Sequence, residues 1–247
     1  MSNTKVAIQA RLWGLTQVAE NFAAVFDQAA LAGYAGVEVR YTILLEQEQQ
    51  LKRYLQRNPD FSLAALHANL LAFEKQEGKE RLKRLLEGMN ELEIPYLIVS
   101  MGYEPQQQPW FELAAQVREL CGEEGTTLCY HNHAAEFTGG TASFFDTLTK
   151  SYHVPLAVDL AWVHRAGVDV IDFIDRYSED IRYVHVKDTL GEQWKELGEG
   201  EMNLEPLLHR LADLRLPWWT VEQDFTDRDP FLSASMSRNY LKQQLNV

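Results

Sequence analysis

The sequence predicts an α/β protein built as a single (β/α)8 barrel, one domain over residues 1–247. Three observations predict it. Eight short apolar runs alternate with segments of helical spacing. The chain has 247 residues, 46% of them hydrophobic, enough to bury one sizeable core. Ionisable side chains gather at the same end of run after run, where a barrel of this kind carries its active site.

The elements follow in order. V-A-I-Q-A from Val6 precedes a helical stretch, Val18 to Leu31, in which Val18, Phe22, Val25, Phe26 and Ala29 fall on one face. G-V-E-V-R from Gly36 is followed by E-Q-E-Q-Q from Glu46, a solvated helix face. S-L-A-A-L-H-A from Ser62 leads into helical spacing over Lys79 to Leu92, and Y-L-I-V-S-M-G from Tyr96 into Trp110 to Cys121. T-L-C-Y-H-N-H from Thr127 and P-L-A-V-D-L from Pro155 come next, then a short helix over Asp169 to Tyr177. I-R-Y-V-H-V-K-D from Ile181 leads to a helix over Leu204 to Leu214. P-W-W-T-V-E-Q-D from Pro217 is the last run, and the tail K-Q-Q-L-N-V reads as another solvated helix face. Most runs are short and rich in β-branched or aromatic residues, as strands buried on both faces are. Gly33 and Gly125 stand where helices end, with Gly88 in or near another end. Pro95, Pro155 and Pro217 stand at strand starts, where a missing N–H is tolerated. A doubly wound sheet is the weaker alternative, because A-R-L-W-G-L-T after the first run is not a G-x-G-x-x-G phosphate fingerprint.

Composition narrows the function classes. Lys plus Arg total 23 against 36 Asp plus Glu, a formal charge of −13. A field of that sign repels phosphate backbones, so no nucleic-acid partner is expected; a small neutral substrate or a bound cation suits it better. No apolar run of membrane-spanning length is present, so no membrane partner is expected. The first residues lack the pattern of a signal peptide, and the two cysteines, Cys121 and Cys129, make no disulfide framework. A cytoplasmic location is expected, and a homo-oligomer is left open.

The polar residues at the strand ends carry the chemistry. The second run ends with Glu38 and Arg40, the third with His67 and Asn69. The fifth ends with His131 and His133, and Glu136 lies just beyond. The sixth carries Asp159, the seventh His185, Lys187 and Asp188, the eighth Glu222 and Asp224. Residues two apart on a strand share a face, so His131 and His133, His185 and Lys187, and Glu222 and Asp224 point the same way. Tyr130, Val184, Val186 and Val221 then face outward against helices, and Cys129 faces inward as a small hydrophobe. Inward carboxylates and imidazoles need a partner, and a divalent metal is an efficient one. An Asp, a His and a Glu from three successive strands, with a further ligand from the fifth, make a mixed nitrogen and oxygen site. Such a set suits Mn2+, Co2+, Zn2+ or Fe2+, and Mg2+ less well. Plainer readings stand beside this one. Glu38 and Arg40 pair with each other, Asp159 or Glu222 pairs with Arg165 or Arg182, and Trp13, Trp162 and Trp194 are core rather than the lining of a sugar pocket.

Y-H-N-H-A-A-E-F, from Tyr130 to Phe137, resembles the Y-H-N-H-x-x-E-F signature of a branch of the sugar phosphate isomerase/epimerase superfamily. Members are xylose isomerase-like TIM barrels, and family 2 AP endonucleases are related to them. The resemblance continues through V-D-L-A-W-V-H-R-A-G-V-D from Val158, Y-V-H-V-K-D from Tyr183, E-L-G-E-G-E-M-N from Glu196 and W-T-V-E-Q-D from Trp219, with weaker matches around Glu38 and His67. It implies one divalent metal held by Glu, Asp, His and Glu. The last three match Asp159, His185 and Glu222. The first position, read E-N-H in many relatives, is H-N-H here, so His131 stands in the glutamate's place and Glu136 is the nearby carboxylate that could restore it.

The implied chemistry is proton abstraction next to a carbonyl of a keto-sugar or keto-polyol, through an enediolate, by a metal-dependent isomerase or epimerase. Glu222 is the first choice of base, with His131, His133 or Glu136 returning the proton. Lys187 would contact a substrate oxygen, and Glu38, His67 and Trp162 complete the substrate-binding set. The alternative is a lyase that dehydrates an inosose or 3-keto-sugar. An AP endonuclease-like nuclease, which needs a cationic DNA groove, and a silent sugar-binding barrel are less favoured.

Overall fold

The computed structural model describes residues 4–101, 108–138 and 141–245. The first three residues of the N-terminal stretch, Gly102 of the fourth run and the last two residues of the tail lie outside the described residues, as do both ends of the expected domain.

Eight parallel strands close into a barrel. They are β1 (Lys5–Gln9), β2 (Gly36–Arg40), β3 (Ser62–Asn69), β4 (Tyr96–Ser100), β5 (Thr127–His131), β6 (Leu156–Asp159), β7 (Ile181–Val186) and β10 (Trp218–Val221). Each pairs with its neighbours in chain order, and β1 closes the ring against β10. Between β7 and β10 the chain makes a small antiparallel hairpin, β8 (Asp188–Leu190) and β9 (Gln193–Lys195). The helices are α1 (Leu15–Leu31), α2 (Tyr41–Arg57), α3 (Gln76–Glu91), α4 (Gln108–Glu123), α5 (Thr141–Asp146), α6 (Leu160–Arg165), α7 (Val170–Arg176), α8 (Leu204–Asp213) and α9 (Pro230–Leu245). No helix among the described residues is long and apolar enough to cross a membrane.

Two packed shells follow from the period-2 alternation of the strands. Ala7, Ala64, Ala65, Ile98, Cys129 and Ala157 fill the barrel interior with the larger Tyr96, Tyr183 and Trp218. Tyr130, Val184, Val186 and Val221 belong to the outer shell, against helix residues such as Phe26, Phe145, Phe173 and Leu208. Cys129 inward and Tyr130 outward are as the alternation predicts. The small residues make room, because three bulky aromatic rings share the narrow interior.

The strand and helix ends differ from the sequence reading by a few residues, with Gly33 and Gly125 at positive φ just past helix ends. Gly88 lies in the last turn of α3, near its end as expected, and an added Cβ there would press on the Leu44 side chain of α2 at 3.2 Å, so close helix packing accounts for it. Register shifts in β2–β3 at Val37/Glu38 and in β6–β7 at Leu156/Ala157 leave one residue extra on one strand, and the first of them immediately precedes Glu38.

Candidate active site

The C-terminal ends of the strands open into a cavity of about 400 Å³. Its polar lining includes Gln9 of β1, Glu38 and Arg40 of β2, His67 and Asn69 of β3, Ser100 of β4, His131 and His133 at the end of β5, and Glu222 and Asp224 after β10, with Arg11 and Thr42. Leu15, Val18 and Ala19 of α1 and Ile43 of α2 form an apolar wall, and Trp162 of α6 closes another part of the rim.

Glu38 is the hub. It is fully buried, and its two oxygens are taken separately: Oε1 lies 2.9 Å from His67 Nδ1, Oε2 2.7 Å from His185 Nε2. Burial works to raise its pKa, but the two imidazoles outweigh burial and hold the carboxyl well below the usual range. The expected Glu38–Arg40 pair is therefore corrected: Glu38 pairs with histidines, and Arg40 is exposed. His67 reaches on to Ser100 Oγ at 3.2 Å.

His185 presents its other nitrogen to the centre. Its Nδ1 is 2.9 Å from His131 Nδ1 and 3.6 Å from a Glu222 oxygen. One donor atom each from His131, His185 and Glu222 lies within 4.8 Å of the others. Burial lowers the His185 pKa, but Glu38 and Glu222 outweigh it and the net effect is a rise to about 9. His131 moves the opposite way, well below its usual value, because burial and the neighbouring His185 both disfavour its charge. The surroundings thus favour the charged form of His185 and the neutral form of His131.

Asp159 is fully buried at the end of β6. Its Oδ1 accepts from the Trp162 N–H at 2.9 Å, capping α6, while Oδ2 makes no hydrogen bond. Glu222 Oε2 is likewise buried without a hydrogen-bond partner. Asn132, between the two histidines, points the other way and stitches β5 to β6. Its side chain accepts from the Asp159 N–H at 3.0 Å and donates to the Asp159 carbonyl at 3.3 Å. The H-N-H order thus places two imidazoles inward and one amide into the strand ladder.

Lys187 departs from expectation. It is fully buried, and its ammonium lies 2.6 Å from Asp224, 3.3 Å from Glu222 and 3.5 Å from Asp159. Trp194 of the hairpin covers it, with the ring centre 3.9 Å away. It does not line the cavity, so the expected substrate contact is corrected: Lys187 is the countercharge behind the wall. Arg165 and Arg182, the pairing partners considered for Asp159 and Glu222, go elsewhere, Arg165 to Thr189 Oγ1 and Arg182 to backbone carbonyls.

Glu136 is corrected too. Its oxygens accept from the Tyr130 hydroxyl at 2.7 Å and the His133 backbone N–H at 2.9 Å, and it does not line the cavity. Burial raises its pKa. His133 is one-third exposed and opens onto the cavity, its ring 5.4 Å from that of Trp162. Burial pushes its pKa down to about 4, so at neutral pH it is an uncharged imidazole. Of the three tryptophans, Trp13 is core, while Trp162 and Trp194 stack edge to face beside the site.

Residues missed from sequence are Gln9, Ser100 and the role of Asp188. Gln9 and Ser100 end strands as the other site residues do, but are uncharged. Asp188 turns away from the cavity. Its carboxylate accepts from the N–H groups of Thr189, Gly198, Gly200 and Met202 at 2.8–3.3 Å, which explains the G-E-G-E-M stretch. A Cβ on Gly200 would strike the Asp188 carboxylate.

A closed parallel barrel whose mouth gathers imidazoles and carboxylates defines the class. The profile of the Xylose isomerase-like TIM barrel family matches residues 26–243, and the chain belongs to that family. Among its relatives, an inosose dehydratase of Geobacillus kaustophilus is 24% identical over 265 residues, which span 88% of this chain and 85% of the relative. A D-allulose 3-epimerase from Methylomonas sp., solved in complex with D-allulose, shares the fold with a TM-score of 0.79 at 13% identity, over 99% of this chain and 98% of its own. The IOLI protein, solved with a zinc atom, has a TM-score of 0.71 at 13% identity over 98% of each chain. The relatives it matches are enzymes.

Proposed function

We propose that the protein enolises a neutral polyhydroxylated ketone, an inosose or keto-sugar, and expels the hydroxyl β to the carbonyl as water. One observation carries the choice of dehydration over epimerisation: among the described residues, a single carboxylate faces the cavity with an oxygen that makes no hydrogen bond. Of the acids lining the cavity, Glu38 has both oxygens engaged, and Asp224 is paired with Lys187 and Arg11. Among the described acids of the lining, Glu222 is the one that keeps a buried oxygen, Oε2, without a hydrogen bond, with His185 Nδ1 3.6 Å away. The imidazoles of His67, His131 and His133 line the same cavity. Inosose dehydratases among the relatives support the same reading.

The donor set fits a divalent cation. His131 Nδ1, His185 Nδ1 and Glu222 converge, and Asp159 Oδ2 and Glu222 Oε2 are buried acceptors without a hydrogen bond, of the kind a cation satisfies. Glu38 behind His185 supplies the outer carboxylate that commonly orients a ligating imidazole. A divalent ion held by His131, Asp159, His185 and Glu222 would supply Lewis acidity to the substrate carbonyl oxygen. The zinc atom of the IOLI protein supports this reading.

The chain's own groups handle the proton. Glu222 takes the α-proton, and the C–H electron pair forms the enolate double bond as the carbonyl π pair moves onto oxygen; re-forming the carbonyl then shifts the double bond toward the β-carbon and breaks the β-carbon–oxygen bond. Glu222 then gives that proton to the departing hydroxyl, releasing water and restoring the carboxylate. The neutral His133 ring donates a hydrogen bond to the developing oxygen charge. Return of the proton to the neighbouring carbon instead gives isomerisation, a second reading that the same single base favours.

Incubation with a panel of inososes and keto-sugars in D2O tests this. Dehydration gives a product lighter by one water, isomerisation a deuterated isomer, and both are read by mass. Glu222→Gln is expected to lower the rate by about 10²–10⁴-fold, the range for a general base. An unchanged rate in that variant would remove Glu222 from the chemistry.

A further inference from the structure

We propose that Gln9 is a specificity-determining residue whose side-chain amide hydrogen-bonds a substrate hydroxyl, so that the site takes a polyhydroxylated ketone and rejects its deoxy counterpart at that carbon. The proposal rests on the enolisation reading for the identity of the bound molecule.

Gln9 ends β1. It pairs in register with Glu38 on one side, and because Ile8 pairs with Val221, it stands beside Glu222 on the other. It shares Glu38's inward face, is 7% exposed and lines the cavity. Its Oε1 is buried and has no hydrogen-bond partner. The ring around it explains why. Glu38 is a carboxylate already committed to two imidazoles, and Glu222 accepts from the Lys187 ammonium at 3.3 Å. Carboxylates accept and cannot donate, so neither strand neighbour can satisfy the amide oxygen. The donor has to come from the cavity.

The chemistry of that donor is narrow. A hydroxyl both donates and accepts, so it satisfies either end of a carboxamide. A carboxylate or phosphate only accepts, and between Glu38 and Glu222 it would meet like charge. An apolar group would leave the oxygen desolvated and unpaired. A substrate whose carbonyl end lies at Glu222 and His131 would place a hydroxyl of its remaining carbons against Gln9.

The test compares wild type with Gln9→Met, which keeps length and volume, and with Gln9→Ser should the first fold poorly. The probes are an inosose and its monodeoxy analogues, assayed by α-proton exchange in D2O. In Gln9→Met, KM is expected to rise roughly 10–100-fold, the worth of one buried hydrogen bond, with kcat within a few-fold. Wild type should lose a similar factor on one deoxy analogue, and the variant should lose that discrimination. The ligand-free melting temperature should stay level or rise, because an unpaired buried acceptor has been removed. Unchanged KM, or a deoxy penalty that persists in Gln9→Met, overturns the proposal, as does a lowered melting temperature with KM intact. If wild type exchanges no probe, the enolisation reading fails by itself. Gln9 is then judged by thermal stabilisation with the inosose and its deoxy analogues: no stabilisation, or equal stabilisation of wild type and variant, overturns it.

Discussion

Glu136 lies three residues from a cavity imidazole, yet its surroundings make it scaffold. Its two oxygens hold the Tyr130 hydroxyl and the His133 N–H, tying the end of β5 to the short turn that follows. An amide keeps the acceptor for the His133 N–H, so Glu136→Gln is expected to cost no more than about tenfold in rate, less than the loss of a proton-transfer carboxylate. Glu136→Ala leaves two donors unpaired and should destabilise the protein by about 1–3 kcal/mol, read from denaturant melts. A drop in Glu136→Gln as deep as in Glu222→Gln would return Glu136 to the chemistry. The cysteines are inert for the same kind of reason. Burial raises both thiols, Cys121 to about 12.

The hairpin β8–β9 and the loop after it form one unit over the site. Trp194 lies between Lys187 and Arg165, with ring-centre distances of 3.9 Å and 3.3 Å, and Asp188 gathers the loop's N–H groups. Gly200→Ala drives a methyl into that carboxylate, so the loop must give way and loosen the cover on Lys187. The expected outcome is a melting temperature lowered by several degrees and accelerated hydrogen exchange over residues 188–202; protection equal to wild type would show that the loop is not held by Asp188. Much of the barrel was legible, because apolar runs and strand-end polar residues follow from the period of a strand. The direction each side chain takes was legible for His131, His133 and Cys129 for the same reason. The helices α2, α6 and α9 as bounded elements were less so. In α2 the polar E-Q-E-Q-Q stretch hides a buried stripe of Tyr41, Ile43, Leu44 and Leu51. Partner choice was not legible. Nothing in spacing says that Glu38 takes two imidazoles from β3 and β7 in place of Arg40, or that Lys187 turns into three carboxylates.

At the scale of the molecule, a chain of charge −13 concentrates its buried ionic groups at one end of the barrel, around Lys187 and His185. With no cation at the site, His185 carries the balancing proton: Glu38 and Glu222 outweigh burial and raise its pKa from 6.5 to about 9. A group whose pKa is raised on folding stabilises the fold fully below its unfolded value and ceases to do so as pH rises through the folded value. Chelator-treated protein should therefore lose melting temperature between about pH 6.5 and 9. A cation ligated by His185 needs that nitrogen deprotonated, so its binding releases a proton in this window and strengthens as pH rises. The gap in melting temperature between zinc-loaded and chelated protein should widen from pH 6.5 toward 9, with proton release read by calorimetry in buffers of different ionisation enthalpy. A gap that stays constant across that range, with no proton released, would place the cation away from His185.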